Sequence, residues 1–147
     1  MNRAPELARL VAFYEGIAPA SLRTQLEQIY APDAQFKDPF NEVRGIAPIV
    51  AIFEHMFVQV DQPRFVVTST VLQGDDAFLT WEFLFRMKRF SREPQCIRGA
   101  TQIRFDASGA VMTHRDYWDA AEELYEKLPV IGSVMRWLKR AANKQAV

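Results

Sequence analysis

The sequence predicts an α+β fold in which helices pack on one face of a curved antiparallel sheet. Two observations support this prediction. Apolar residues recur at helical spacing over most of the first 60 positions, and after Pro63 the spacing changes from about 3.6 residues to 2. The 147 residues suffice for one domain with a single core.

Three helices are predicted ahead of the strands. The first runs from Glu6 to Ile17, with one apolar side. The second follows Ser21, a residue type that is common at helix N-caps. The third follows Gly45 and has Pro48 in its first turn.

Four strands and a helical extension are predicted after Pro63. Alternating apolar and polar residues place the strands at 64–72, 77–89, 95–106 and 110–118. A short extended piece around Phe36 precedes them, and a helix from Ala120 to about Lys127 follows. We therefore divide the chain into a domain of residues 1–128 and a basic amphipathic helical tail of residues 129–147.

Composition excludes several classes of protein. Lys plus Arg equals Asp plus Glu at 18 each, so net charge does not favour nucleic acid as a partner. Cys96 is the single cysteine, which excludes an internal disulfide framework. The sequence shows no signal peptide and no run of roughly 18 apolar residues, so we expect a cytoplasmic protein. Metal and cofactor signatures are absent from the sequence, and we expect neither.

The segment QFKDPFNEVRG, residues 35–45, contains the first candidate, Asp38. An aspartate before proline commonly starts a turn. The alternative is that its carboxylate points into a pocket, which would require partners from other elements. Tyr14 is one such partner, because it lies on the apolar side of the first predicted helix, where a buried hydroxyl must find a hydrogen bond.

The last predicted strand, VMTHRDYWD, contains the second candidates. Its alternation places Met112, His114, Asp116 and Trp118 on one face. If that face is the inner one, His114 and Asp116 enter the interior together as an acid/base or orienting pair. The alternatives are a hydrogen-bonded structural pair or a strand that faces solvent.

An aromatic stripe on the second predicted strand has two interpretations. It forms core, or it lines an apolar ligand pocket together with aromatic residues elsewhere. The six residues concerned are Phe53, Phe57, Trp81, Phe83, Phe85 and Trp118.

The run YAPDAQFKDPF resembles the NTF2-like superfamily, in particular its SnoaL-like and ketosteroid-isomerase-like branch. The matching positions are Tyr30, Ala31, Asp33, Ala34, Phe36, Asp38 and Pro39. The segment IRFDASGAV and the aromatic last strand fit as well, and the resemblance covers about residues 5–120.

This resemblance implies a cone, in which a strongly bent sheet encloses a pocket. In the isomerase branch a carboxylate at the position of Asp38 transfers a proton, and a tyrosine matching Tyr14 donates a hydrogen bond to the developing oxyanion. The second donor, a carboxylic acid, is replaced here by Thr101. His114 and Asp116 occupy positions that the isomerases fill with apolar residues.

We therefore expect a small-molecule enzyme that transfers protons on an apolar carbonyl compound: an isomerase or a related lyase, cyclase or hydrolase. Among the candidate catalytic residues, Asp38 is the expected general base, Tyr14 a hydrogen-bond donor, and His114 with Asp116 a second acid/base or substrate-orienting pair; Thr101 is a further donor in the pocket. The alternative is a non-catalytic module that binds a ligand or a protein. The resemblance also implies a homodimer.

The tail, LPVIGSVMRWLKRAANK, has three interpretations. It carries four basic residues and no acidic one, and an apolar side. It packs on the outside of the cone, contacts another subunit, or lies on a membrane surface.

Overall fold

The computed structural model describes residues 2–89, 92–123 and 131–145, and the fold is α+β as predicted. The helices are α1 Ala4–Glu15, α2 Leu22–Ile29, α3 Ile46–Gln59, α4 Ala120–Glu123 and α5 Ile131–Gln145. The strands are β1 Tyr30–Lys37, β2 Glu42–Arg44, β3 Val60–Gln73, β4 Asp76–Met87, β5 Pro94–Phe105 and β6 Val111–Tyr117.

The strands form one curved sheet in the order β2-β1-β6-β5-β4-β3. The four predicted strands are β3 to β6, and they pair as an antiparallel meander. The extended piece around Phe36 is a full strand, β1, and it pairs in parallel with β6, so that Phe36 lies opposite His114. The sheet is therefore antiparallel except at this one pair. The pairing brings the loop after β1 beside the end of β6.

The first three helices cover the inner face of the sheet. α1 packs on β3, α3 packs on β1 and β3, and α2 joins α1 to α3. Alternate residues of β4 and β5 point toward the helices, as the period of 2 predicts. The buried residues of these two strands are Ala77, Leu79, Trp81, Phe85, Ile97, Thr101, Ile103 and Phe105.

Arg3 fastens the start of α1 to the sheet. Its buried guanidinium donates to Oδ1 of Asp75 at 2.8 Å and to the backbone oxygen of Asp106 at 2.8 Å. These acceptors belong to the turns after β3 and after β5, so one side chain connects α1 to both hairpins. The position of Tyr14, on the last turns of α1, is thereby tied to the sheet.

The C-terminal part is described only partly. The helix predicted from Ala120 to about Lys127 is seen as α4, and the rest of that prediction lies outside the described residues, as does the domain boundary at 128/129. The predicted helical tail is α5. Within the described ranges, every helix is either too short or too polar to cross a bilayer.

Candidate functional site

The inner face of β6 carries both His114 and Asp116. The His114 side chain is 1% exposed and that of Asp116 is 19% exposed. Met112, which we predicted on the same face, is exposed instead. The prediction was wrong there because Met112 is the extra residue of a β-bulge: Arg104 pairs with Thr113, but the next residue, Phe105, pairs with Val111.

Three elements bring their polar groups to His114. Nδ1 of His114 lies 2.6 Å from the Tyr14 hydroxyl of α1 and 2.7 Å from the Tyr30 hydroxyl of β1. The two hydroxyls are 2.5 Å apart. On the other side of the ring, Nε2 lies 2.7 Å from Oδ1 of Asp116. The imidazole thus joins two buried phenols to a carboxylate.

Counting hydrogens assigns the tautomer of His114. A carboxylate oxygen only accepts, so Nε2 carries the hydrogen that is donated to Asp116. If the ring is neutral, Nδ1 accepts from one tyrosine hydroxyl, which accepts from the other, and every donor in the cluster is used. A doubly protonated ring would leave one phenol hydrogen without an acceptor in the cluster. Neutral His114 therefore satisfies the buried groups best.

A second branch reaches the same carboxylate from β4 and β5. Nε1 of Trp81 donates to Oγ1 of Thr101 at 2.8 Å, and Thr101 donates to Oδ1 of Asp116 at 2.6 Å. Oδ1 therefore accepts from both Thr101 and His114. Among the described residues, Oδ2 has no hydrogen-bond donor. One oxygen of Asp116 is fixed, and the other can accept a hydrogen bond or a proton.

Gly99 provides the space for the Trp81 ring. A Cβ at this position would lie 2.5 Å from Cη2 of Trp81. We expect Gly99→Ala to displace the indole, weaken its hydrogen bond to Thr101 and reduce the free energy of unfolding by about 1–3 kcal/mol, because overpacking strains a close-packed core. Urea unfolding followed by tryptophan fluorescence would measure it. An unchanged midpoint of urea unfolding would show that the Trp81 ring moves without loss of stability.

Burial keeps both phenols of the network neutral. Desolvation raises the pKa of Tyr14 well above its usual value, and the neighbouring Tyr30 and Asp116 raise it further. Desolvation also raises the pKa of Tyr30; the hydrogen bond with Tyr14 acts in the opposite direction, and Asp116 adds to the rise. Both hydroxyls are consequently hydrogen-bond donors rather than bases at neutral pH.

These shifts predict an alkaline unfolding transition. Tyrosines in the unfolded chain ionise near pH 10. Because their pKa values are higher in the folded state, Tyr14 and Tyr30 contribute their full stabilisation below about pH 10. This contribution is lost as pH rises toward the folded-state pKa values. Absorbance at 295 nm and circular dichroism, recorded in one titration, would test this. Tyr14→Phe and Tyr30→Phe should each lack the part of the absorbance rise that accompanies unfolding. If they instead lack a rise at pH values where the protein is still folded, the prediction is contradicted.

Asp116 lines two cavities. The inner one has a volume of about 20 Å³, and its lining residues are Tyr14, Phe53, Phe65, Val67, Trp81, Thr101 and Asp116. That volume holds about one water-sized group. The outer one is an open cleft of about 570 Å³, lined by Lys37, Asp38, Pro39, Arg115, Asp116, Tyr117, Trp118 and Asp119. Asp116 is the one residue that lines both.

Asp38 lies in the outer cleft and not in the lining of the inner cavity. Its Oδ1 accepts from the backbone N–H groups of Phe40 at 2.8 Å and Asn41 at 2.7 Å. The side-chain amide of Asn41 donates to both carboxylate oxygens at 3.1 Å. This is the turn geometry that aspartate before proline predicts. The structure brings Tyr14, Thr101, His114 and Asp116 together, and it does not bring Asp38 into their hydrogen-bond network.

The predicted aromatic pocket residues separate into two groups. Phe53 and Trp81 line the inner cavity, and Trp118 lines the outer cleft, where it contacts Phe40. Phe83 stacks on Phe85 and Phe65, and Phe57 packs against the core. These last three predicted residues, Phe57, Phe83 and Phe85, fill space rather than line either cavity.

Tyr30 belongs to the site, but we assigned it no role from the sequence. It ends α2 and begins β1, where it is 2% exposed. The available signal was the place of Tyr30 at the head of the YAPDAQF run. If its ring is buried, its hydroxyl needs a buried partner. That partner, His114, lies 84 positions away in sequence, and the parallel pairing of β1 with β6 brings the two residues together.

Residues 10–114 match the family described as SnoaL-like domain. A sequence comparison with curated proteins gave no match. Among solved structures, a protein with a ketosteroid isomerase-like fold from Catenulispora acidiphila, in complex with trimethylamine, is 17% identical with a TM-score of 0.69; the match covers 82% of this chain and 90% of that one.

Two further structures have the same fold. A proposed SnoaL-like polyketide cyclase from Jannaschia is 15% identical with a TM-score of 0.70, covering 83% of this chain and 93% of that one. A proposed hydroxylase from Streptomyces galilaeus is 17% identical with a TM-score of 0.67, covering 98% and 95%. At these identities the likeness extends to the fold and not to the activity.

Proposed function

Since this chain belongs to the SnoaL-like domain family, we propose that it is a small-molecule enzyme that transfers a proton on a carbonyl compound, with Asp116 as the base. One observation carries the proposal. Asp116 is a carboxylate that lines both cavities, with one oxygen held by two donors and the other without a partner among the described residues.

The cavity volumes support a particular binding mode. The inner cavity of about 20 Å³ accepts a group the size of a carbonyl oxygen but no ring system. The outer cleft of about 570 Å³ lies in the range of ligand pockets. The carbonyl end of the substrate would enter past Asp116, while the remainder packs against Pro39 and Trp118.

The roles of the residues follow from their hydrogens. Oδ2 of Asp116 takes the proton from the carbon next to the carbonyl, and an enolate forms. Tyr14 is the hydroxyl of the network that lines the inner cavity, and its raised pKa keeps it neutral; its hydrogen would turn from Tyr30 to the enolate oxygen, while Tyr30 keeps its hydrogen bond to His114. His114 and Thr101 hold Oδ1, which fixes the orientation of the carboxylate. Return of the proton to another carbon completes an isomerisation.

Asp38 remains a second candidate for the base, because it lines the same outer cleft and stands at the family's base position. Its oxygens already accept from Phe40 and Asn41. A base that must also hold a turn has fewer free lone pairs, and we therefore favour Asp116.

Solvent deuterium exchange would test the activity directly. The protein is incubated in D₂O with a panel of enones and ketones, and the loss of protons next to the carbonyl is followed by NMR. Exchange above the rate in buffer, absent after heat denaturation, supports proton transfer. Rates equal to buffer for every compound would contradict the proposal.

The alternative is a binding module without catalysis, and the small volume of the inner cavity favours it. All the hydroxyls of the cluster are already paired, as expected for a structural network. Native mass spectrometry of the purified protein would distinguish the two. A retained molecule that is bound but never converted would support binding alone.

We also propose a homodimer formed by the outer face of the sheet. Val71, Phe78 and Tyr117 are about half exposed there, and Val71 lies directly opposite Phe78. Light scattering of the wild type beside Phe78→Ser would test this; a monomer in both would contradict it.

A further inference from the structure

One surface of α5 is apolar, and the described structure leaves it uncovered. Val134 is 52% exposed, Trp137 61% and Leu138 46%. At about 100° per residue, these three side chains lie within one arc of about 100°. Three large apolar groups on one exposed helix face mark an interaction surface.

The opposite side of α5 is basic. Arg136, Lys139 and Arg140 lie within a second arc of about 100°, centred roughly opposite the apolar one. Lys144 adds a fourth positive charge in the sequence of this helix, and residues 131–145 contain no Asp or Glu. A helix with an apolar face that contains an exposed tryptophan, a cationic opposite face and no acidic residue is typical of helices that lie in a membrane interface.

We propose that α5 binds the surface of an anionic phospholipid membrane, with Trp137, Leu138 and Val134 inserted among the acyl chains. Long Arg and Lys side chains reach past the apolar face to the phosphate groups. Charge favours this occupant, because a helix with four basic residues and no acidic one is attracted by an anionic lipid surface. The activity proposed above is not needed for this binding.

Sedimentation of the full-length chain with lipid vesicles tests the proposal. We expect binding to phosphatidylcholine vesicles that contain phosphatidylglycerol, weak binding to pure phosphatidylcholine, and a loss of binding as salt is raised. Arg136→Gln/Arg140→Gln should weaken binding about 25-fold, because each basic residue near an anionic surface contributes about a factor of five. The matched control, Arg9→Gln/Arg44→Gln, changes two exposed arginines outside α5 and should bind as wild type does.

The apolar half of the surface is tested separately. Trp137→Ala/Leu138→Ala should weaken binding at least about tenfold, whereas Val58→Ala, which shortens an exposed apolar residue of α3, should not. Equal binding to neutral and anionic vesicles, or none to either, would overturn the proposal. So would a fall in molecular mass caused by the α5 variant in the absence of lipid, which would assign this face to a second copy of the chain.

Discussion

Asp116→Asn should lower the rate of proton transfer by about 100- to 10,000-fold, the usual contribution of a positioned general base. Asparagine keeps the shape of the side chain. Its oxygen can still accept from His114 and Thr101, while its amide nitrogen replaces Oδ2 and cannot take a proton. The loss should therefore appear in activity, with little change in stability. The deuterium-exchange assay on the most active carbonyl compound measures it.

Two other carboxylates of the outer cleft provide controls. Asp119→Asn removes the same charge from the same cleft, and asparagine can still accept the N–H of Glu122 at the start of α4. It should leave the rate near that of wild type. Asp38→Asn decides between the candidate bases. An inactive Asp38→Asn beside an active Asp116→Asn would transfer the role to Asp38, and three active variants would exclude carboxylate catalysis.

His114→Ala should reduce the free energy of unfolding by about 3–5 kcal/mol. The ring is 1% exposed and packs 4.5 Å from the centre of Phe36 and 6.0 Å from that of Tyr30. Its removal leaves a cavity, takes the acceptor from the two phenols and takes one donor from Asp116. All three effects destabilise the folded state, and they add to each other. Urea denaturation followed by circular dichroism gives the value.

The other histidine supplies the matched control. His55 is exposed on α3, so His55→Ala should change the free energy of unfolding by no more than about 0.5 kcal/mol. His114→Phe separates packing from hydrogen bonding, because it keeps a ring and removes both nitrogens. We expect it to cost more than about 1 kcal/mol. A cost as small as that of His55→Ala would mean that the buried network contributes nothing to stability.

The sequence by itself determined most of the elements of this fold, but it left open which face of the last strand points inward. Periods of 3.6 and 2 depend on backbone geometry, so helices and strands could be assigned wherever one side is buried. Periodicity placed Tyr14 on the apolar side of its helix and His114 with Asp116 on one face of the last strand, whereas Thr101 and the expected role of Asp38 as the base came from the resemblance. Periodicity failed at Met112, because a bulge adds one residue and turns the side chain outward.

Only the tertiary structure decided which of these groups touch. Tyr30 reaches His114 through the parallel pairing of β1 with β6, a contact between residues far apart in the chain that local periodicity does not encode. The same pairing places Asp38 at the end of β6, where its carboxylate completes a turn and leaves the inner cavity to Asp116. Local preference assigns each residue to a strand or a turn, but hydrogen-bond partners depend on how the strands are ordered in the sheet.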